Sequence, residues 1–271
     1  MAVVVIDVSP VVWGDRDLRR TASDRQRHAA GKSSTGPLIL EELLSAVQAF
    51  SSAFMSLERD SALLLVAVAG SEVALVYPRK DHLESFFTNS EMQMDTRKLQ
   101  NDLIDGVSEL VAKAAKQVGD PLQPLSSSLA SMASAFSLSL CLINRFLVAT
   151  NTGVSALHMH TNHSWDRGNT DDEGVIAAIG GGGKKKLNKK AKAWSPRVLM
   201  IQASDDRAGD YNAIMNCAFA SVKHHIVVDG CFLRSDGKNN ASSPFLEQTC
   251  DLTGGLFLVS LATLVNKIYV F

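Results

Sequence analysis

The residues of this chain with the most chemistry in them are a histidine group, a Gly-Lys-Ser triplet, a lysine run and four cysteines. His158, His160 and His163 stand at H-x-H-x-x-H spacing, with Asp166 close behind. Imidazole and carboxylate ligands of this kind suit a divalent transition metal. Here they sit in a polar stretch without periodicity, which favours a solvated loop. Gly31-Lys32-Ser33 imitates the end of a phosphate-binding loop. The full motif needs Gly at position 26 and a strand directly before it, and the chain has Gln26 and no such strand. Gly180–Gly183 lead into lysines and not into a helix, so they form a tether and not a dinucleotide fingerprint. KKKLNKKAK (184–192) then concentrates Lys184, Lys185, Lys186, Lys189, Lys190 and Lys192. Such a run reads as a nuclear import signal, with a phosphate-attracting patch as its other use. Cys141, Cys217, Cys231 and Cys250 make no C-x-x-C pair, so neither a zinc knuckle nor a thioredoxin motif is present. Their apolar contexts suggest free, buried thiols in a reducing compartment. No G-x-S-x-G elbow occurs, and no His-Asp pair sits near a nucleophile at a plausible strand end. Nothing here requires an enzyme.

Composition narrows the classes further. The chain has 271 residues, is 46% hydrophobic and carries a formal net charge of −1. That is enough apolar material for one sizeable core, and the charge gives no global drive toward nucleic acid or membrane. Positions 1–12 are apolar but lack a basic leader and a small-residue cleavage site, and Asp7 interrupts them. They read as a first core strand and not as a signal peptide. No run of about 18 apolar residues argues for a membrane span.

The elements that must position any site follow from periodicity. AVVVID (2–7) is the first strand, ending at Asp7. Residues 15–36, with six Lys/Arg against three Asp, read as an exposed loop. Leu40, Leu43, Leu44, Val47, Phe50, Phe54 and Leu57 define a helix over about 38–57. ALLLVAVA (62–69) and EVALVYP (72–78), parted only by Gly70-Ser71, predict an antiparallel hairpin. Further helices are expected near 97–118 and 125–148. Residues 151–195 read as a flexible Gly/Lys-rich insertion. RVLMIQASDD (197–206) is a strand that stops at two carboxylates. YNAIMNCAFASVK (211–223) puts Tyr211, Ile214, Met215, Ala218, Phe219 and Val222 on one helical face. HIVVDGCFL (225–233) is a second buried strand, and FLEQTCDLTGGLFL (245–258) gives a short helix, a Gly-Gly stop and a third strand. The segment after 258 has the makings of a final helix. The order implies an α/β, doubly wound, mostly parallel sheet.

The wording of the blocks adds a resemblance. MNCAFASVKHHIVVDGCFL (215–233) and LEQTCDLTGGLFL (246–258) resemble the smaller von Willebrand factor A-type subunit of the core of TFIIH, the general transcription and nucleotide-excision-repair factor. VVVIDVSPVVWG (3–14) is similar to that family's opening strand, and SSSLASMASAFSLSLCLINR (126–145) to its serine-rich central helix. The resemblance implies a single von Willebrand A-type domain over 1–271, with one antiparallel edge strand on an otherwise parallel sheet. It implies a non-catalytic scaffold in the nucleus. That scaffold binds the C-terminal zinc-binding region of the larger von Willebrand A-type subunit, and through it the other TFIIH core subunits. The family continues into a cysteine-rich zinc-binding module that these 271 residues do not contain, so no zinc or other cofactor is expected here.

Von Willebrand A-type domains carry a metal site, D-x-S-x-S after the first strand, with a Thr or Ser from a second loop and an Asp after the fourth strand. By that resemblance Asp7 and Ser9 fit, while the third position is Val11, which cannot ligate. Ser126, Ser127 or Ser128 would supply the second-loop hydroxyl, and Asp205 or Asp206 the last acid. Mg²⁺ demands near-octahedral oxygen geometry, so a degenerate, empty site at Asp7, Ser9 and Asp205 is expected, with Asp7 bracing loops at the strand ends. The alternative to the scaffold is a metal-dependent adhesion-type ligand-binding module. Val11, the missing signal peptide and the lack of paired cysteines count against it. A small-molecule enzyme on a doubly wound sheet is a second alternative, which the degenerate carboxylate site supports poorly.

Overall fold

The computed structural model describes residues 1–30, 37–57, 61–88, 96–118, 129–150, 194–234 and 242–260. Long aliphatic runs without polar alternation make strands that are covered on both faces. β1 (Ala2–Asp7) and β2 (Leu63–Ala69) are buried at every position. β3 (Glu72–Tyr77) returns antiparallel beside β2 through Gly70, whose φ of 59° suits the first central position of a two-residue Gly-x hairpin turn. β4 (Arg197–Gln202), β5 (Val227–Leu233) and β6 (Phe257–Ser260) complete one six-stranded sheet in the order β3-β2-β1-β4-β5-β6. All neighbours but β2 and β3 are parallel. β1 pairs with both β2 and β4, so the strand order reverses beside it.

Helices cover both faces. α1 (Pro10–Ala30), α2 (Leu40–Leu57) and α4 (Thr96–Val118) bury Trp13, Leu43, Leu99 and Leu103 against Ala2, Val4 and Ile6. α3 (Leu83–Thr88), α5 (Met132–Ala149), α6 (Tyr211–Lys223) and α7 (Pro244–Thr253) pack on the opposite face, against Val3, Val5, Leu64 and Val66. α5 is apolar and long enough to cross a membrane by length and composition, but Phe136, Ile143 and Phe146 are buried in this second core.

Several expectations are corrected. Residues 15–36 are not an exposed loop through to Ala30, because α1 runs there. Asp15, Asp17, Arg19 and Arg25 lie on the solvent side of that helix. Arg19 pairs with Asp15 at 2.8 Å in i,i+4 spacing, and Arg20 reaches Glu42 of α2 at 2.6 Å. α5 begins at Met132, several residues later than the apolar pattern suggested. α3 was not anticipated; Phe86 and Phe87 anchor it to Phe146, with centroids 6.1 Å apart in each pair. α6 buries Ile214, Met215, Ala218 and Ser221, whereas Tyr211, Phe219 and Val222 stay 40%, 60% and 43% exposed. The small, hydroxyl-bearing Ser221 is admitted to the inner face because its Oγ donates to the Cys217 carbonyl at 2.9 Å.

α6 ends in a Schellman motif without glycine. Ile226 N donates to Ser221 O at 2.9 Å and His225 N to Val222 O at 3.2 Å, with His225 left-handed at φ 54°. That turn aims Ile226 into the core at the foot of β5. α7 is capped at both ends: Ser243 accepts from Leu246 N at 3.2 Å, Pro244 opens the first turn, and Gly254 closes it at φ 72°.

Candidate functional site

In a doubly wound sheet the crevice beyond the carboxyl ends of the strands, where strand order reverses, is where ligands bind. In this chain that point lies between the ends of β1 and β4. Asp7 sits there, fully buried. One carboxylate oxygen accepts from Ser9 N at 3.0 Å and Ser9 Oγ at 2.7 Å. The other accepts from Ala203 N at 3.0 Å, Ser204 N at 2.7 Å and Ser204 Oγ at 2.6 Å. A carboxylate offers about four lone-pair sites, so these contacts use its accepting capacity.

The start of α1 closes the crevice from above. Ser9 O accepts from Val12 N and Trp13 N, each at 3.1 Å, so the helix opens directly out of the Asp7 turn. Trp13 Nε1 donates to the Asp7 carbonyl at 2.8 Å. One turn on, Arg16 lies 1% exposed, with its guanidinium carbon 5.0 Å from the Trp13 ring centroid and Nη2 donating to the Leu233 carbonyl at the end of β5. Stacking on an aromatic face and donating to a strand-end carbonyl let a long cation be buried where a polar loop was expected.

A second carboxylate extends the network. Asp206 Oδ1 accepts from Gln202 Nε2 at 2.8 Å and Ser243 Oγ at 2.5 Å, and Oδ2 accepts from Phe245 N at 3.0 Å. Gln202 Nε2 also donates to Ser204 O at 2.9 Å. Asp206 thus binds the end of β4 to the N-terminus of α7, where a negative charge faces unpaired backbone amides. The chain Asp7–Ser204–Gln202–Asp206–Ser243 joins the two halves of the sheet through hydrogen bonds.

Of the described residues expected at a metal site, the structure joins Asp7 and Ser9 by a hydrogen bond. Ser204, not Asp205, meets Asp7 from β4; Asp205 is exposed, and Asp206 is turned to α7. Val11 is on the first turn of α1, 38% exposed, with no oxygen to offer. Ser126, Ser127 and Ser128 lie outside the described residues. Both Asp7 oxygens are engaged by protein donors, and the Ser9 and Ser204 hydroxyl protons point at the same carboxylate. Among the described residues, this donor set does not supply the oxygens of an octahedral Mg²⁺ site. Among the described residues, no group of three or more His, Cys, Asp or Glu gathers to hold a metal. His158, His160, His163, Asp166 and the six lysines of 184–192 lie outside the described residues.

The cysteines offer no activated nucleophile in the core. Burial pushes the Cys231 thiol up to about 11 and, with help from Asp229 and Asp251, the Cys250 thiol up to about 12. Cys217 is also raised, first by burial and then by Cys141. Cys141 departs from expectation, since it is exposed. Sequence reasoning missed Ser204, Gln202, Ser243 and Arg16. Two local signals pointed their way: Ser-Pro at 243–244 with Glu247 beyond is a helix-start signature, and Trp13 and Arg16 share a helical face at i,i+3.

Comparison with known proteins agrees with this architecture. General transcription factor IIH subunit 3 of Dictyostelium discoideum is 34% identical over 73 residues, an alignment spanning 27% of this chain and 18% of that relative. The chain therefore matches about a fifth of that relative's length. The crystal structure of the TFIIH p34 N-terminal domain superposes with a TM-score of 0.60 at 17% identity, covering 99% of this chain and 95% of that one. The fold is thus the one found in that domain. Proximal thread matrix protein 1 from the mussel byssus aligns at 10% identity with a TM-score of 0.47, over 98% of this chain and 44% of that one. The family described as Transcription factor Tfb4 matches residues 1–267, and the chain belongs to that family, the family of the TFIIH p34 subunit.

Proposed function

We propose that this chain is a non-catalytic scaffold subunit of the TFIIH core, acting in the nucleus in RNA polymerase II transcription initiation and nucleotide excision repair. One domain over 1–271 makes up the scaffold. It docks on the C-terminal zinc-binding region of the larger von Willebrand A-type subunit. The observation that carries the non-catalytic part is Asp7. The buried acid at the ligand-binding point of this fold accepts five hydrogen bonds from its own chain, leaving no oxygen poised for a substrate. Family membership supports the TFIIH role. A standard interface would bury roughly 800 Å² on each side.

Pull-down of the purified chain with the zinc-bearing tail tests the docking, with ATPase and phosphatase assays run in parallel. Retention of the tail and no turnover are expected. Turnover lost on Asp7→Ala, in a variant shown to remain folded, would force an enzyme reading. Failure of a folded chain to retain the tail would remove the proposed partner.

The adhesion-type, metal-dependent module remains the competing reading because Asp7 and Ser9 are both present and buried together. Calorimetry with Mg²⁺ and Mn²⁺ separates the two. No binding at micromolar concentration is expected of the natural chain, and only Val11→Ser, which restores a ligating oxygen, stands to gain affinity. Micromolar binding that disappears in Asp7→Asn would overturn the scaffold's empty site.

Nuclear entry is assigned to Lys184, Lys185, Lys186, Lys189, Lys190 and Lys192, whose charge density suits an import receptor. Deleting 180–193 from a fluorescent-reporter fusion is expected to shift it from nucleus to cytoplasm. Unchanged nuclear accumulation would place the signal elsewhere.

A further inference from the structure

We draw no further inference here: the strongest candidate, the exposed apolar side chains Phe219 and Val222 of α6 and Leu252 of the adjoining α7, carries nothing because the structure does not show what covers them.

Discussion

Asp7→Ala is expected to destabilise the fold by about 3–5 kcal/mol, the range for removing one partner of a buried charged network. For a chain of this size that lowers the thermal midpoint by roughly 5–10 °C. The loss falls on donors that have nowhere else to go. Ala203 N and Ser204 N belong to the chain leaving β4, and Ser9 N to the turn into α1. Each would be left buried without its acceptor, at about 1–3 kcal/mol apiece before water enters the space. Asp7→Asn separates charge from volume. Both carboxylate oxygens accept from at least one backbone amide, so either orientation of the new NH₂ opposes an N–H. A serine hydroxyl can rotate to accept instead; a backbone N–H cannot. Asn is therefore expected to lose most of what Ala loses. Urea unfolding followed by tryptophan fluorescence measures both, and an Asn variant within about 0.5 kcal/mol of the natural chain would show that the network is not what holds the switch point.

The Gly254-Gly255 pair gives the second large effect, and its two members should respond for different reasons. A Cβ on Gly255 would lie 1.9 Å from the Val228 carbonyl oxygen and 2.6 Å from its carbon. Those are backbone atoms of β5, and they cannot swing aside as a side chain would. The chain must instead back away from β5, straining Gly230 N to Leu256 O at 2.8 Å and Leu256 N to Asp229 Oδ1 at 3.0 Å, the contacts that seat β6. About 3 kcal/mol or more is expected for Gly255→Ala, at or above the upper end for overpacking. Gly254 has nothing within 4 Å of its virtual Cβ and only its φ of 72° to protect. Gly254→Ala should therefore cost about 1–2 kcal/mol, the penalty for an L-residue in the left-handed region. The order of the two midpoints in thermal unfolding decides the matter. If Gly254→Ala proves the more damaging, close approach to β5 is not the reason for the second glycine.

The strands were legible in the sequence because their physics is local. An unbroken run such as VVVI or LLLVAVA has no polar side to show to water, so it must lie in a sheet covered on both faces. The Gly70-Ser71 turn, α2 and α4 followed from spacing alone, and the order of elements was enough for the doubly wound class. α1 was not legible. Its inward residues are few, and one of them is Arg16, whose burial depends on the Leu233 carbonyl 217 residues away. Polar composition recorded the helix's outer face and was mistaken for a loop. The face of α6 was missed for a related reason: an apolar stripe marks which side chains favour burial, while neighbours decide which are covered. Ser221 went inside and Phe219 stayed out.

At the site, the sequence by itself determined that Asp7 ends the first strand and that Val11 breaks the metal motif. It did not determine which residue answers Asp7 from β4, since Ser204, Asp205 and Asp206 are consecutive and equally polar. Only the tertiary structure chose, by bringing the ends of β1 and β4 together across 197 residues of chain. The turn after β4 presents Ser204 to Asp7, keeps Asp205 exposed and turns Asp206 toward the N-terminus of α7. A hydrogen bond needs a partner within about 3 Å and in line, and for residues so distant in sequence that condition is met by the packed sheet and not by any local pattern.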